Sequence, residues 1–368
     1  MWEFWRRHKR KVYVTLGVLG SGYLVYKLYD AHRRRLSDLE RELAGRHESD
    51  ELIKAQMQAH FENIQRISDM TTLPHAMLSL SSQVAEELDV MNLAERLMKG
   101  KGRPNTLASS ERLELWDRLK ILSFTRMALS LWAMTMLSLY IRVQVNILGR
   151  HLYIDTARGI GSSQLLEEAD LIERNDEQQF LSSADFLSND GLSTLISNMQ
   201  AAASGVLKGN HLKDLFNTTV LHDTIVQILD TFMSMGNPHH WVDYLMPQDA
   251  RVQDLIASSG SDSTDLSHAT KFDLLMAETR AVLSSAEFGN IVDMTLKTVV
   301  DALVEDIEVQ SEGSLSSGMP LAKLLPRIAQ MAPLLLEEPS RNRFIQIIRN
   351  IQEVELFFTL LYANAPIG

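Results

Sequence analysis

Between Ser110 and Tyr153 the chain reads SERLELWDRLKILSFTRMALSLWAMTMLSLYIRVQVNILGRHLY, with no Pro and no Gly before Gly149. Apolar residues recur three and four apart, at Leu115, Leu119, Leu122 and onward, the period of a helix that buries a stripe. From Met127 to Ile141 the apolar character goes most of the way round, interrupted by Ser130, Thr135 and Ser138. A helix that is apolar on several sides must be covered on several sides. The stretch therefore predicts one helix of about 40 residues, roughly three times the usual length, running through the middle of a helical domain. Ser109 or Ser110 can cap its start.

The competing reading is a membrane span. Met127 to Ile141 is 15 residues long and carries three hydroxyl side chains. That falls short of the roughly 20 residues a bilayer crossing needs, and Arg126 and Arg142 close the run on both sides. A buried core helix is expected.

The full chain of 368 residues admits one large domain or two small ones, and its lack of Cys excludes a disulfide framework, a thiolate metal site and a cysteine nucleophile. It also fits a reducing compartment. The formal charge of -11 is unevenly spread. Residues 1–36 hold nine Lys or Arg against two acids, which leaves 27 bases against 45 acids in residues 37–368. A basic head on an acidic body points to an address or a membrane contact at the amino terminus.

That head carries RRHKRK at residues 6–11, continues with an apolar run from Val12 to Tyr26, and meets a second basic cluster at His32 to Arg35. With Lys27 snorkelling, a marginal span of about 18 residues is reachable, and Trp and Tyr sit near its ends. A cleaved signal peptide would need a small-residue cleavage site where KLYDAHRRR stands, and a mitochondrial presequence would be amphipathic rather than apolar all round. A retained anchor over residues 1–36 is expected. Basic residues on both flanks leave its orientation open.

The remaining organisation reads as helices and loops. Arg33 to Gly45 extends the anchor as a charged helix, and periodic segments follow at Ser49 to Ser68 and Leu73 to Lys99, with Pro74 acceptable in a first turn. KGKGRPNTLASS, residues 99–110, is a loop, and TARGIGSS, residues 156–163, is the next break. Helices are expected over 164–187, 191–208, 211–235, 265–285, 287–309, 320–336 and 340–363. No stretch alternates with period two, so residues 37–368 read as one all-α domain, an elongated helical bundle around the central helix.

Catalytic and ligand chemistry find no footing. The glycines match neither GxGxxG nor GxxxxGK[ST]. His239 and His240 are adjacent, without a carboxylate at metal-ligand spacing, and read as a solvated loop pair. Glu167, Glu168 and Asp170 read as a solvated acidic face. Nucleic acid is disfavoured because the basic clusters flank the apolar run while the acidic body repels phosphate. No cofactor or metal is indicated, and an enzyme is not expected.

Several longer stretches are distinctive: LELWDRLKILSFTR with YIRVQVNILGRHLYID after it, FWRRHKRK at the amino terminus, HFENIQRISDMT at 60–71, MKGKGRPN, SNDGLSTLI at 188–196, WVDYLMP at 241–247 and MPLAKLLPRI at 319–328. Together they resemble the peroxin 3 family across essentially the whole chain. The resemblance implies a single-pass anchor in the peroxisomal membrane, a helical domain facing the cytosol, and a docking groove for peroxin 19, the chaperone that carries new peroxisomal membrane proteins. Cargo membrane proteins would then be met only indirectly, and the direct contacts would be membrane lipid and an amphipathic amino-terminal helix of peroxin 19. By the same resemblance the groove residues are Trp116, Leu119 three positions on, Arg112 four before the Trp, the apolar pair Leu97 and Met98, and Lys323 of the PLAK motif. Arg112 stands where some relatives carry Lys, which keeps the charge but not the hydrogen-bonding geometry. Read from the residues alone, Arg112, Trp116 and Leu119 share one stripe at the start of the central helix, where a large aromatic is ordinarily core. A tether or scaffold recruiting inheritance or degradation factors is the alternative role.

Overall fold

The computed structural model describes the backbone of residues 68–90, 109–161, 174–248 and 270–363, a few further helical positions between 59 and 95, and side chains of the central helix over 110–152. The described residues from 61 onward form one compact unit. The expected anchor over 1–36, most of the helix expected over 49–68, the interior of the loop at 99–110, and Glu167, Glu168 and Asp170 lie outside the described residues.

A π turn, Ser68–Thr72, leads into α1, Leu73–Glu87, with Pro74 in its first turn, where its missing N–H costs no helical bond. The central helix, α2, is Ser109–Gly161. Helix α3, Arg174–Ser182, passes through a 3-10 turn, Ser183–Asp185, and a second π turn, Leu187–Gly191, into α4, Leu192–Leu207. Strand β1, Leu215–Phe216, precedes α5, Thr218–Met233, and a 3-10 turn at His240–Tyr244. Then come α6, Lys271–Leu283, α7, Ala286–Gln310, β2, Met319–Pro320, α8, Leu321–Leu335, α9, Arg343–Arg349, and α10, Gln352–Ala363.

Helix α2 touches every other α-helix named here. From Met127 to Ile141 every residue except Ser138 is buried. It is long and apolar enough to cross a bilayer, but its most apolar stretch is 89% buried inside the body. The neighbouring helices therefore take the place of lipid, and the helix is core. Each large side chain so buried contributes about 1.5–3 kcal/mol.

Several polar groups inside this core have partners, while the hydroxyls of Ser123, Thr125 and Ser130 make no hydrogen bond among the described residues. Thr135 and Ser138 donate to the carbonyls of Leu131 and Met134, one turn back, at 2.8 and 2.9 Å. The Gln144 amide donates to the Phe180 carbonyl at 2.7 Å and to Ser183 Oγ at 2.9 Å, and Tyr140 OH lies 3.1 Å from the same hydroxyl. Burial pushes the Tyr140 phenol up to about 12, so it stays a neutral donor or acceptor. Arg150 and His151 both reach Glu278 on α6, His151 at 2.7 Å. The polar residues of YIRVQVNILGRHLYID thus tie α2 to α3 and α6.

Several expected boundaries move. The break expected at 156–163 is helical to Gly161, because Ala157 and Arg158 are good helix formers and two glycines weaken a helix without ending it. The helix expected over 211–235 begins only at Thr218, where the Asn217 side chain accepts the Val220 N–H at 2.8 Å and caps it. Before it, a turn at 212–214 leads into β1, which pairs antiparallel with β2, Leu215 opposite Pro320 and Phe216 opposite Met319. The helix expected over 340–363 is two, since Asn342 caps α9 and Asn350 ends it. The gap expected at 188–190 is a π turn continuous with α4.

The histidine pair also differs from expectation. His239 and His240 are half-buried, and the His240 ring packs edge-on against Phe232 and Tyr244, with centroids 5.7 and 5.8 Å away. Those rings continue into Trp132 of α2, 5.3 Å from Phe232 and 6.0 Å from Tyr244. The turn is held from outside by Arg280 of α6, which donates to Asp243 at 3.0 Å and to the carbonyls of Met246 and Pro247 at 3.2 and 2.8 Å. Spacing along the chain could not show that tertiary packing would draw the histidine into an aromatic cluster.

Two predictions follow from this corner. Gly191 has ordinary helical angles, φ −75° and ψ −27°, so its backbone does not require Gly; but an added Cβ would drive into the Tyr244 carbonyl. Gly191→Ala should cost about 3 kcal/mol in denaturant unfolding, the upper range for overpacking. Burial also holds the His240 imidazole below its ordinary value, against weaker opposing effects from Asn237 and Asp243. With the folded pKa depressed, the stability from the neutral ring is complete above the unfolded value, about 6.5, and is lost as pH falls below it. Denaturant midpoints should drop between about pH 7.5 and 5.5, and drop less in His240→Gln; equal drops would place the acid sensitivity in other groups.

Candidate functional site

The first turns of α2 carry a small apolar cluster separate from the main core. Leu115 and Leu119, four apart on one face, pack with Val90 and Leu93, and Trp116, Leu122 and Ala329 of α8 lie partly buried against them. Trp116 also packs on the main core. Half-buried between the two clusters, its indole N–H has no hydrogen-bond partner among the described residues. Arg112, one turn earlier on the same stripe, is exposed. So is Lys323, in the first turn of α8, and neither forms an ion pair among the described residues. Of the six groove residues expected from sequence, Trp116 and Leu119 are in one cluster, Arg112 stands above them, and Lys323 lies on the helix whose Ala329 touches that cluster. Leu119 is only 7% exposed and lies at the base of the cluster. Leu97 and Met98 lie outside the described residues.

Lys120 fixes this corner. Its side chain is buried, yet its ammonium has three oxygen partners: the carbonyls of Asn210 at 2.8 Å and Leu207 at 3.2 Å, and Asp117 at 2.7 Å. A cation at the carbonyl end of a helix satisfies groups the helix leaves open and complements its dipole. The residues after Leu207 then run to α8, where the N–H groups of Ala322 and Leu321 bond the carbonyls of Leu212 and Asp214 at 3.0 and 2.9 Å. Those two donors belong to the first turn of α8, which lacks helical acceptors of its own. A single segment, 207–214, therefore joins the start of α2 to the start of α8. The stripe Leu115, Leu119, Leu122 was visible in the sequence; the cluster's other members, Val90, Leu93 and Ala329, were not, because only packing brings them there.

A separate cleft of about 240 Å³ opens between the first π turn, α2, α9 and α10. It holds the Asp69–Arg349 ion pair at 2.8 Å and the Arg142 guanidinium, 4.6 Å over the Phe358 ring. Burial raises the Asp69 carboxyl despite the opposing pull of Arg349 and Arg142. With Glu355 also at its wall, the cleft carries both signs of charge and braces the helices around it. Among the described residues no three His, Asp or Glu side chains gather as a metal site.

Fold and site together define a helical-bundle protein whose buried polar groups hold helices to one another and whose central helix projects its first turn beyond the core. A family model described as Peroxin-3 matches residues 101–364, and the chain belongs to the Peroxin-3 family. It is 61% identical to Peroxisome biogenesis protein 3-2 of Arabidopsis thaliana over 365 residues, covering 99% of this chain and 98% of that one. Peroxisome biogenesis protein 3-1 of the same plant is 60% identical, with 98% of each chain covered. Peroxisomal biogenesis factor 3 of Homo sapiens is 29% identical over 98% of this chain and 96% of its own. The chain has a role in peroxisome biogenesis.

The two residues of the stripe should behave differently on truncation. Leu119→Ala empties a buried position and should lower unfolding stability by about 2 kcal/mol. Trp116→Ala, at a half-exposed position, should lower it by less. Chemical denaturation of the two variants checks this, and the reverse order would make Trp116 the structural residue of the pair.

Proposed function

We propose that the protein is a membrane-anchored docking receptor for peroxin 19 in the insertion of peroxisomal membrane proteins. Residues 1–36 anchor it in the peroxisomal membrane, and residues 37–368 face the cytosol. An amphipathic helix at the amino terminus of peroxin 19 lays its apolar face across Trp116 and Leu119, with Leu97 and Met98 beside them and Arg112 and Lys323 at the rim. Cargo membrane proteins arrive on peroxin 19 and are not bound directly. The observation that carries this reading is Trp116 itself. It is a large aromatic, half-covered, with a free indole N–H among the described residues and uncommitted cations near it. Such anchored aromatics dominate helix-in-groove binding. Relatives named as peroxisome biogenesis proteins, matched over nearly their whole length, support the setting.

Calorimetry of the full-length protein in detergent with a peptide of that helix tests the proposal. Trp116→Ala should weaken binding by about 2 kcal/mol or more, roughly thirty-fold in Kd. Equal affinity of variant and wild type would reject it.

A further inference from the structure

Beside the expected groove lies a second set of residues that the docking reading does not use. On a helix of 100° per residue, Leu113 stands about 60° round from Trp116, directly above the buried Lys120. Leu113 belongs to the arc that deeper in the helix carries buried Lys120 and Phe124, but it is 67% exposed, because nothing among the described residues covers the first turn on that side. Below it runs the segment held by Lys120, whose Lys208, His211 and Lys213 are all exposed. The backbone bond from Ala322 to Leu212 brings Lys323 to the same neighbourhood.

The charges there are unequally committed. The acids have internal duties: Asp117 pairs with Lys120 at 2.7 Å, and Asp214 accepts the His211 N–H at 2.6 Å. Glu111 falls on the far side of α2, and Glu114 stands about 100° round from Leu113 on the side away from Trp116. Arg112, Lys208, Lys213 and Lys323, by contrast, make no ion pair among the described residues. Residues 37–368 carry 45 acids against 27 bases, so uncommitted cations on the corner that holds exposed Leu113 and half-buried Trp116 run against the body's net charge.

We infer that Leu113 and the basic loop 208–213 extend the docking face, and that Lys208 and Lys213 select a partner helix whose apolar stripe is bordered by acidic side chains. This rests on the docking reading for Trp116 and adds to it the partner's charge pattern and the side on which its acids lie. A helix partner is favoured over an anionic membrane because Trp116 is braced between two clusters and does not project as an inserting aromatic would. Exposed charge pairs contribute little each but add in a network and steer encounter.

The test uses the full-length protein in detergent, the amino-terminal helix of peroxin 19, and a copy of that helix with every Asp and Glu changed to Lys. Wild type should bind the natural peptide at least about tenfold more tightly than the inverted copy at low salt, with the gap shrinking as ionic strength rises. Lys208→Glu/Lys213→Glu should weaken the natural peptide about tenfold and restore binding of the inverted one, with an unchanged unfolding midpoint. That rescue separates recognition from mere structural damage. If Trp116→Ala abolishes binding while the double reversal changes neither peptide, this inference is overturned and the docking reading stands. Peptide binding insensitive to Trp116 overturns both. If the double reversal leaves peptide affinity intact but removes binding to mixed phosphatidylcholine and phosphatidylserine vesicles, the loop is a membrane contact and the inference is equally overturned.

Discussion

Covering α2 on every side is the constraint on which the rest of the structure depends. A helix apolar round most of its circumference cannot rest against one neighbour. Here α1 and α3 to α10 all meet it, which makes it the axis through which the other elements are positioned. The cost of this arrangement lies in its polar groups, since a buried unpaired donor or acceptor forfeits about 1–3 kcal/mol. Gln144, Tyr140, Arg150 and His151 offset part of it by bonding α3, the 3-10 turn after it and α6, while Ser123, Thr125 and Ser130 stay unpaired among the described residues. Each such bond also specifies which helix lies where along the axis, something apolar packing alone does loosely.

The candidate docking face sits where that coverage stops. The stripe that buries Leu119 and Lys120 leaves Arg112 and Leu113 in solvent one or two turns earlier. Core and candidate docking surface are thus successive parts of one helical arc, and Trp116 lies at the transition. Lys120 joins the two physically. By holding the carbonyls of Leu207 and Asn210 it closes α4, and the segment it holds goes on to supply acceptors for the first turn of α8. The positions of Lys208, Lys213 and Lys323 relative to Trp116 follow from that chain of hydrogen bonds rather than from any direct contact among them.

The distinctive sequence stretches acquire physical reasons in the same way. WVDYLMP is the turn clasped by Arg280 and packed on Trp132 through Tyr244. SNDGLSTLI contains the glycine that lets this turn approach the helix backbone, and Asn198, just beyond it, donates to Tyr244 OH at 2.6 Å. The lysine ending LELWDRLK, which could be read as a surface charge, is instead a buried cap.

The sequence by itself determined the all-helical class, the central helix and its burial, because a long period-3.6 pattern that turns apolar on all sides has few ways to avoid water. It also determined the stripe Arg112, Trp116, Leu119, since residues four and seven apart on a helix share a face whatever surrounds them. Tertiary structure alone decided how exposed each would be. Leu119 is buried and Arg112 is exposed because Val90, Leu93 and Ala329 arrive from elsewhere in the chain and cover one turn but not the next. It likewise decided that His240 is drawn into an aromatic cluster, that 215–216 is extended to pair with 319–320, and that α2 is helical to Gly161. Local propensities are worth tenths of a kcal/mol to about one per residue, less than the contacts between distant segments that settle these points.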